Sequence, residues 1–363
     1  MNNLTNQLLS RNSNVDAAGR IIVTFFSLLL LHSTTAAAQL SDFCSLGENH
    51  FREKNYRAAQ AELWQCTNDG NATPDQTLHL AWTYRDLRNY SEGLDRVSEA
   101  LKQRPADENL LYVGAFLHFR RDELEQSVGM LNQAYRLKPD DWRLHQLYAL
   151  NFIQVGWVSA AEQELTRAIK LNDKMPELYY QLARFYYTMN EYDKVVTVSE
   201  KALALAPEYA SVYDNLGLTY AGLGNFSRAV ENFEEAIKIN KEHHLNDEWP
   251  LIDYGAFMEN QDLDKARALL EEAVRMNPAN ATANYELGRT MEKLHFDSVA
   301  EIYLRDAIKN DSTYTTAYYL LANLARKRGD RELAAKYLEE FQKLSDNEKK
   351  SGASSTVLAL RHR

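Results

Sequence analysis

The chain has 363 residues, of which 45% are hydrophobic and 25% are charged, and its formal net charge at pH 7 is −10. This acidic balance argues against general nucleic-acid binding, which needs a basic surface. Length alone would suggest two or three globular domains, but the residue pattern described below favours one continuous repeat structure instead.

Residues 1–38 show the three-part pattern of a secretory signal peptide. Arg11 and Arg20 precede an apolar run from Ile21 to Leu31, and three alanines follow at 36–38. A signal peptidase accepts such small residues, so we expect cleavage before Gln39. The apolar run is short for a membrane span, which needs about 20 residues, so a retained anchor is the less favoured alternative. No other segment is predicted to span a membrane, and the protein is expected to be exported, either periplasmic or secreted.

After this segment, small and bulky apolar residues recur every 34 positions. Steps of 34 back from Ala236 reach Ala202, Ala168, Ala134, Ala100 and Cys66. Steps of 34 back from Phe226 reach Tyr192, Val158, Leu124, Tyr90 and Tyr56, and Pro105, Pro139 and Pro207 keep the same period. A fixed period of about 20–50 residues is typical of a repeat architecture.

Each unit is predicted to be a pair of antiparallel helices, best seen in "VYDNLGLTYAGLGNFSRAVENFEEAIKIN" from Val212 to Asn240. Gly217 and Ala229 lie where the two helices should cross, because close approach requires small side chains. The "GLGN" segment ends the first helix, since glycine is the usual residue at a left-handed C-cap. One such pair cannot bury its apolar face alone, so the pairs are expected to stack on one another.

These residues resemble the tetratricopeptide repeat, TPR, whose 34-residue signature combines Leu-Gly, Tyr, Ala, Phe and Pro at these offsets. The resemblance implies an all-α, right-handed TPR solenoid of about nine helix-turn-helix repeats. The predicted repeats are 40–73, 74–107, 108–141, 142–175, 176–209, 210–243, 247–280, 281–314 and 315–348. The seventh departs most, because its small residue moves to Gly255, Trp249-Pro250 begins it, and three extra residues precede it. The tail, 349–363, is expected to be disordered or a short helix.

The resemblance also implies that the first helix of each repeat lines a concave groove. The predicted partner-binding residues at its inward positions are Trp82, Arg85, Tyr112, Phe116, Phe119, Arg120, Arg143, Gln146, Tyr180, Arg184, Tyr187, Tyr285, Arg289, Tyr319, Asn323 and Arg326. Such a groove would suit a protein or peptide segment carrying acidic groups, because arginine pairs well with carboxylates. For any single residue, core packing or pairing with a neighbouring acid is the favoured alternative. Changing Arg120, Arg143 and Arg184 to glutamate is expected to leave the fold intact.

Two cysteines, Cys44 and Cys66, fall in the first and second helices of the first repeat. An antiparallel helix pair could bring them together, and an oxidising compartment would allow a disulfide. The alternative is two buried free thiols. Two cysteines are too few for a metal site, and no histidine lies at ligand spacing from them.

No residue pattern points to catalysis, a cofactor or a metal. His243-His244 is expected to be a solvated linker pair, with a weak metal site as the alternative. The favoured function is therefore an exported, non-enzymatic scaffold for protein–protein or protein–peptide interaction. The alternative is an accessory or regulatory subunit, or a saccharide-binding module, of an envelope or secreted enzyme system. The sequence leaves the identity of the partner and the oligomeric state open.

Overall fold

The structure, a computed structural model, describes residues 43–351, with side chains described as far as residue 347. The predicted signal peptide and the tail beyond residue 351 lie outside the described residues. The described part contains 18 helices and no strand. They are α1 (43–52), α2 (Tyr56–Asn68), α3 (Pro74–Leu87), α4 (Tyr90–Gln103), α5 (Glu108–Arg120), α6 (Leu124–Leu137), α7 (Trp142–Gln154), α8 (Val158–Leu171), α9 (Pro176–Thr188), α10 (Tyr192–Leu205), α11 (Ala210–Gly222), α12 (Phe226–Glu242), α13 (Trp249–Met258), α14 (Leu263–Met276), α15 (Ala281–Lys293), α16 (Asp297–Asn310), α17 (Thr315–Lys327) and α18 (Arg331–Ser351).

The helices divide into two compact units, whose boundary falls within α7 between Leu144 and His145. In the first unit, α3 packs against α5 as well as against its neighbours along the chain. In the second unit, α9, α11, α13 and α15 pack in succession, and each is also paired with the helix that follows it. Each unit is thus a stack of helical hairpins, and the predicted all-α solenoid fold is confirmed.

Glycine makes the close helix crossings possible at the positions that the sequence indicated. A Cβ placed on Gly217 of α11 would lie 2.6 Å from Cδ1 of Phe233 in α12. The displaced glycine of the seventh hairpin, Gly255, would meet Cγ of Leu270 at 2.6 Å in the same way. The prediction that the small residue of this hairpin is displaced to Gly255 is therefore consistent with the packing.

The three extra residues before the seventh hairpin are absorbed by a longer helix and a tied loop. Helix α12 has 17 residues and α13 only 10. The loop turns through left-handed backbone at His244 and Asn246. Asn240 then holds it in place, because its side-chain amide exchanges hydrogen bonds with the backbone N–H and carbonyl of Asp247. The stack in the second unit continues past the insertion without losing its pairing of helices.

The predicted disulfide is present in the first hairpin. Cys44 of α1 and Cys66 of α2 are bonded, with their Cα atoms 5.1 Å apart. Both residues are buried against Ala72. The bond joins the two helices of the most N-terminal hairpin that the structure describes.

Replacing Gly217 with leucine is expected to lower the free energy of unfolding by about 1–3 kcal/mol or more, because the new side chain would overlap the Phe233 ring. Thermal unfolding followed by circular dichroism measures this. The matched control is Gly129→Ala in α6, where an added Cβ meets nothing within 4 Å. That change should stabilise the protein by about 0.5–1 kcal/mol through helix propensity. Equal melting temperatures for Gly217→Leu and the unmodified chain would contradict the crossing.

Candidate partner-binding face

All 16 residues of the predicted groove lie on the first helices of their hairpins, a surface called here the first-helix face. Their exposure differs widely. The buried members are Tyr112, Phe116, Arg143, Gln146 and Tyr285. The half-buried members are Trp82, Arg85, Phe119, Tyr180, Arg184, Tyr187, Arg289 and Asn323, and the exposed ones are Arg120, Tyr319 and Arg326.

Arg143 requires a correction, because its side chain is fully buried in the first unit. Its Nε donates to both carboxylate oxygens of Asp141, at 3.0 and 3.2 Å. Its Nη1 donates to the carbonyl of Pro74 at 3.1 Å, and its Nη2 donates to Oδ1 of Asn109 at 2.9 Å. Arg143 therefore ties together the starts of α3, α5 and α7 and is not available to a partner. We therefore no longer expect the change to glutamate at Arg143 to leave the fold intact, since it would bury two carboxylates side by side.

Two half-buried residues of the first unit, Trp82 and Arg85, belong to a small aromatic group. The Arg85 guanidinium lies 5.7 Å from the centre of the Trp82 ring. Trp82 also lies near Phe51 and His79, which stack with their ring centres 4.3 Å apart. His79 is fixed by Glu48, whose carboxylate lies 2.8 Å from its Nδ1. An arginine over an aromatic ring on a first helix recurs in the second unit.

The first such group in the second unit surrounds Arg184 of α9. Its guanidinium carbon lies 5.8 Å from the centre of the Tyr180 ring. Tyr180 in turn packs against Tyr209, with ring centres 5.3 Å apart. The Tyr209 hydroxyl donates to Glu177, and Gln181 Nε2 donates to the other oxygen of Glu177 at 3.1 Å. Burial, and then the Glu177 carboxylate, raises the pKa of Tyr209 well above its usual value.

The second group surrounds Arg289 of α15 and has the same aromatic parts. Arg289 lies 5.7 Å from the centre of the Tyr285 ring, which packs against Tyr314 at 4.9 Å. Here Nε and Nη2 of the guanidinium are paired with carboxylates. Its Nε donates to Glu259 Oε1 at 3.0 Å, and its Nη2 lies 2.8 Å from Glu259 Oε2 and 2.7 Å from Glu286 Oε2.

Glu259 is the centre of this second group. Its side chain is only 1% exposed. It also accepts hydrogen bonds from Thr290 Oγ1 and Lys293 Nζ, both at 2.8 Å. Arg289, Thr290 and Lys293 all belong to α15, whereas Glu259 caps the C-terminal end of α13. We call Glu259, Glu286, Arg289, Thr290 and Lys293 the Glu259 cluster.

Glu286 has an unusual environment within the Glu259 cluster. Burial raises the pKa of its carboxyl to about 7 and outweighs the opposing effect of Arg289. Arg289 was among the residues predicted from the sequence, but neither glutamate was. The spacing of Glu286, three residues before Arg289 on a helix, was a readable signal. Glu259 was not readable, because it belongs to the seventh hairpin, whose first helix is displaced.

Helix α17 is the first helix of the last hairpin described. It carries the remaining predicted residues, Tyr319, Asn323 and Arg326. Tyr319 is 45% exposed and packs against Phe341 of α18, with ring centres 5.5 Å apart. Arg326 donates a hydrogen bond to the side chain of Asn323. These side chains lie on the surface and remain accessible.

The described residues contain no group of three His, Cys, Asp or Glu side chains that could hold a metal ion. In the linker, His243 Nε2 lies 3.1 Å from a carboxylate oxygen of Glu208. Between residues 43 and 351, no helix is both long enough and apolar enough to cross a membrane.

Comparison with known proteins identifies part of the stack. Residues 174–242, 256–294 and 315–348 match family models of the tetratricopeptide repeat. These three segments are tetratricopeptide repeats. All three TPR segments lie in the second unit, and the middle one begins directly after the displaced Gly255 and includes the Glu259 cluster.

The similar curated proteins are distant. The bovine BBSome complex member BBS4 is 24% identical over 186 residues, which cover 50% of this chain and 35% of that protein. Human protein O-mannosyl-transferase TMTC3 is 26% identical over 299 residues, covering 80% of this chain and 30% of that protein. A TPR repeat-containing protein from Methanocaldococcus jannaschii is 20% identical and is covered over 50% of its length. The chain thus spans 30% to 50% of the length of these relatives.

Solved structures show the same fold. The Cut9–Hcn1 complex of the APC/C matches with a TM-score of 0.59 and 17% identity, over 76% of this chain and 54% of that one. A monomeric IFIT1 mutant crystallised with m7Gppp-AAAA matches with a TM-score of 0.53 and 17% identity, over 83% and 80% of the two chains. At this identity the likeness concerns the TPR-type fold alone. TPR repeats generally serve as protein–protein interaction scaffolds.

Proposed function

We propose that this protein is an exported TPR scaffold that binds a segment of another protein through its first-helix face. The observation that carries the proposal is a repeated pair in which an arginine lies over an aromatic ring. Trp82 with Arg85, Tyr180 with Arg184, and Tyr285 with Arg289 all have this arrangement, on three different first helices. Two of the pairs lie along the stack of hairpins in the second unit, and such repetition suits an extended ligand better than a compact one.

The chemistry of these pairs fits a protein partner. Aromatic and arginine side chains are enriched where proteins bind one another, because they offer a large contact area with few rotatable bonds. The stacked ring restricts the guanidinium, so less conformational entropy is lost when it binds. The acidic net charge of −10 makes a nucleic-acid partner the less favoured one.

Export is supported by the disulfide and by the N-terminal pattern. The Cys44–Cys66 bond needs an oxidising compartment to persist. The basic and apolar residues of segment 1–38 match a cleavable signal. Intact-mass measurement of the protein from its own source should give a chain that begins at Gln39 and lacks two thiol hydrogens. A chain that begins at Met1 with two free thiols would contradict export.

A capture experiment tests the binding face. The chain from Gln39 is compared with Arg85→Glu/Arg120→Glu/Arg326→Glu, three changes on first helices that do not touch the buried Arg143. The matched control reverses the same charge on second helices, at the exposed Arg136, Arg167 and Arg275. A crosslinked partner retained by the control and lost by the first-helix variant is the expected result. A partner retained by both variants would exclude the first-helix face.

A further inference from the structure

The two tyrosine–arginine groups of the second unit are near copies of each other. Tyr285, Arg289 and Tyr314 each lie 105 positions after Tyr180, Arg184 and Tyr209. The arginine-to-ring distances agree closely, at 5.7 and 5.8 Å. The two groups therefore allow an internal comparison of the same side chains in two electrostatic settings.

The settings differ in what neutralises the arginine. Arg289 is paired with Glu259 and Glu286. At Arg184 the position of Glu286 is taken by Gln181, and residues 145–154 of α7, the preceding first helix, contain no Asp or Glu. Among the described residues no ion pair joins a carboxylate to Arg184, whereas Glu162 and Glu191 pair with Lys194. Its Nη2 is shielded from solvent and has no hydrogen-bond partner, although the residue as a whole is partly exposed.

The Glu177 carboxylate is already engaged. Both oxygens of Glu177 accept hydrogen bonds, one from Gln181 and one from Tyr209. Asp214, one repeat after Tyr180, is buried and has contacts of its own. A guanidinium nitrogen that is shielded from water and has no acceptor lowers the stability of the fold, because no hydrogen bond replaces its lost hydration. Arg184 therefore has no ion pair within the described chain, whereas its counterpart Arg289 pairs with Glu259 and Glu286.

We propose that Arg184 is the carboxylate-binding residue of the first-helix face, and that its ligand is an Asp or Glu side chain in an extended segment of a partner protein. The partner's carboxylate takes the role that Glu259 and Glu286 play at Arg289. A small rotation of the guanidinium on the Tyr180 ring turns Nη2 toward the exposed side, where a two-point pair with the carboxylate forms. This inference rests on the proposed function and adds the chemical class of the residue recognised.

A peptide selection tests the inference with the whole chain from Gln39. The probe is a library of random peptides displayed on phage as N-terminal fusions, so that no ligand has a free C-terminal carboxylate. It is panned against the unmodified chain, Arg184→Met, and the double variant Glu177→Thr/Gln181→Glu. The double variant copies Thr282 and Glu286 of the second group, and so supplies Arg184 with an internal carboxylate at unchanged net charge. Arg167→Met, an exposed arginine on α8, is the control.

The expected result is a fixed Asp or Glu in peptides selected by the unmodified chain and by Arg167→Met. Arg184→Met and the double variant should keep their circular dichroism spectra but lose this acidic position. For one selected peptide, exchanging that Glu for Gln should weaken binding about tenfold on the unmodified chain and leave it unchanged on Arg184→Met.

Two other outcomes distinguish failure of the Arg184 site from failure of the proposed function. Selected peptides without a fixed acidic position, or an acidic position kept by Arg184→Met, would overturn the Arg184 site and leave peptide binding standing. No enriched peptide on any folded variant would overturn the proposed function itself.

Discussion

Replacing Arg143 with alanine is expected to lower the free energy of unfolding by about 3–5 kcal/mol. The guanidinium is fully buried, and the Asp141 side chain that it pairs with is only 3% exposed. Removing the arginine leaves this carboxylate charged and shielded from water, which costs more than the original pair contributed. The same change also frees the Pro74 carbonyl and the Asn109 side chain from their shared donor.

Urea unfolding followed by circular dichroism measures the loss, and two variants test its cause. Arg143→Met/Asp141→Asn removes both charges while the amide oxygen can still accept from the backbone N–H of residue 143. This double variant should lose clearly less than Arg143→Ala alone, because no buried charge remains. Arg120→Ala, at an exposed position of α5, should change stability by less than about 0.5 kcal/mol. A loss at residue 143 no greater than that at residue 120 would exclude the buried network as a source of stability.

The second large effect is a fall in stability as pH rises, caused by Glu286. Burial raises the pKa of this carboxyl from its usual 4.5 to about 7 in the folded protein. Between these two values the folded state keeps a proton that the unfolded state has lost, so the free energy of unfolding decreases as pH increases. The full change is about 3 kcal/mol, given about 1.4 kcal/mol for each pKa unit. Below pH 4.5 and above about pH 7 the contribution is constant.

Other charged groups around Glu286 set the size of this effect. Arg289 and Lys293 favour its ionised form, whereas Glu259 and Asp253 oppose it. These groups and the rest of the chain also titrate. Comparison with Glu286→Gln subtracts their contribution from the measured pH dependence of stability. As the pH rises from 4.5 to 7, the free energy of unfolding of the unmodified chain should fall relative to that of Glu286→Gln. A difference that does not vary with pH would show that Glu286 titrates normally.

Much of the fold follows from short-range features that are repeated along the chain. Gly217 predicted a helix crossing because only a residue without a side chain fits against Phe233. Cys44 and Cys66 predicted a bond because one repeat places them on facing helices. In both cases the partners lie within one hairpin, so the 34-residue period alone brings them together.

The candidate site was predicted less completely, and Arg143 and Arg184 show why. The repeat pattern placed both on first helices, which is correct. It could not say that an aspartate two residues before Arg143 would fold back and bury it. It also could not say that Arg184 would lack a carboxylate while Arg289 has two, because Glu259 reaches Arg289 from a neighbouring hairpin 30 residues away.

The sequence by itself determined the helical hairpins, their stacking and which residues lie on the first helices. Those properties depend on side-chain size and turn chemistry at fixed offsets, and the offsets are visible in the sequence. Only the tertiary structure decided which arginines are buried, which are neutralised and which remain unpaired. Burial and charge compensation depend on side chains that approach from neighbouring hairpins. The 34-residue period of the sequence does not specify the distances and directions of these side chains.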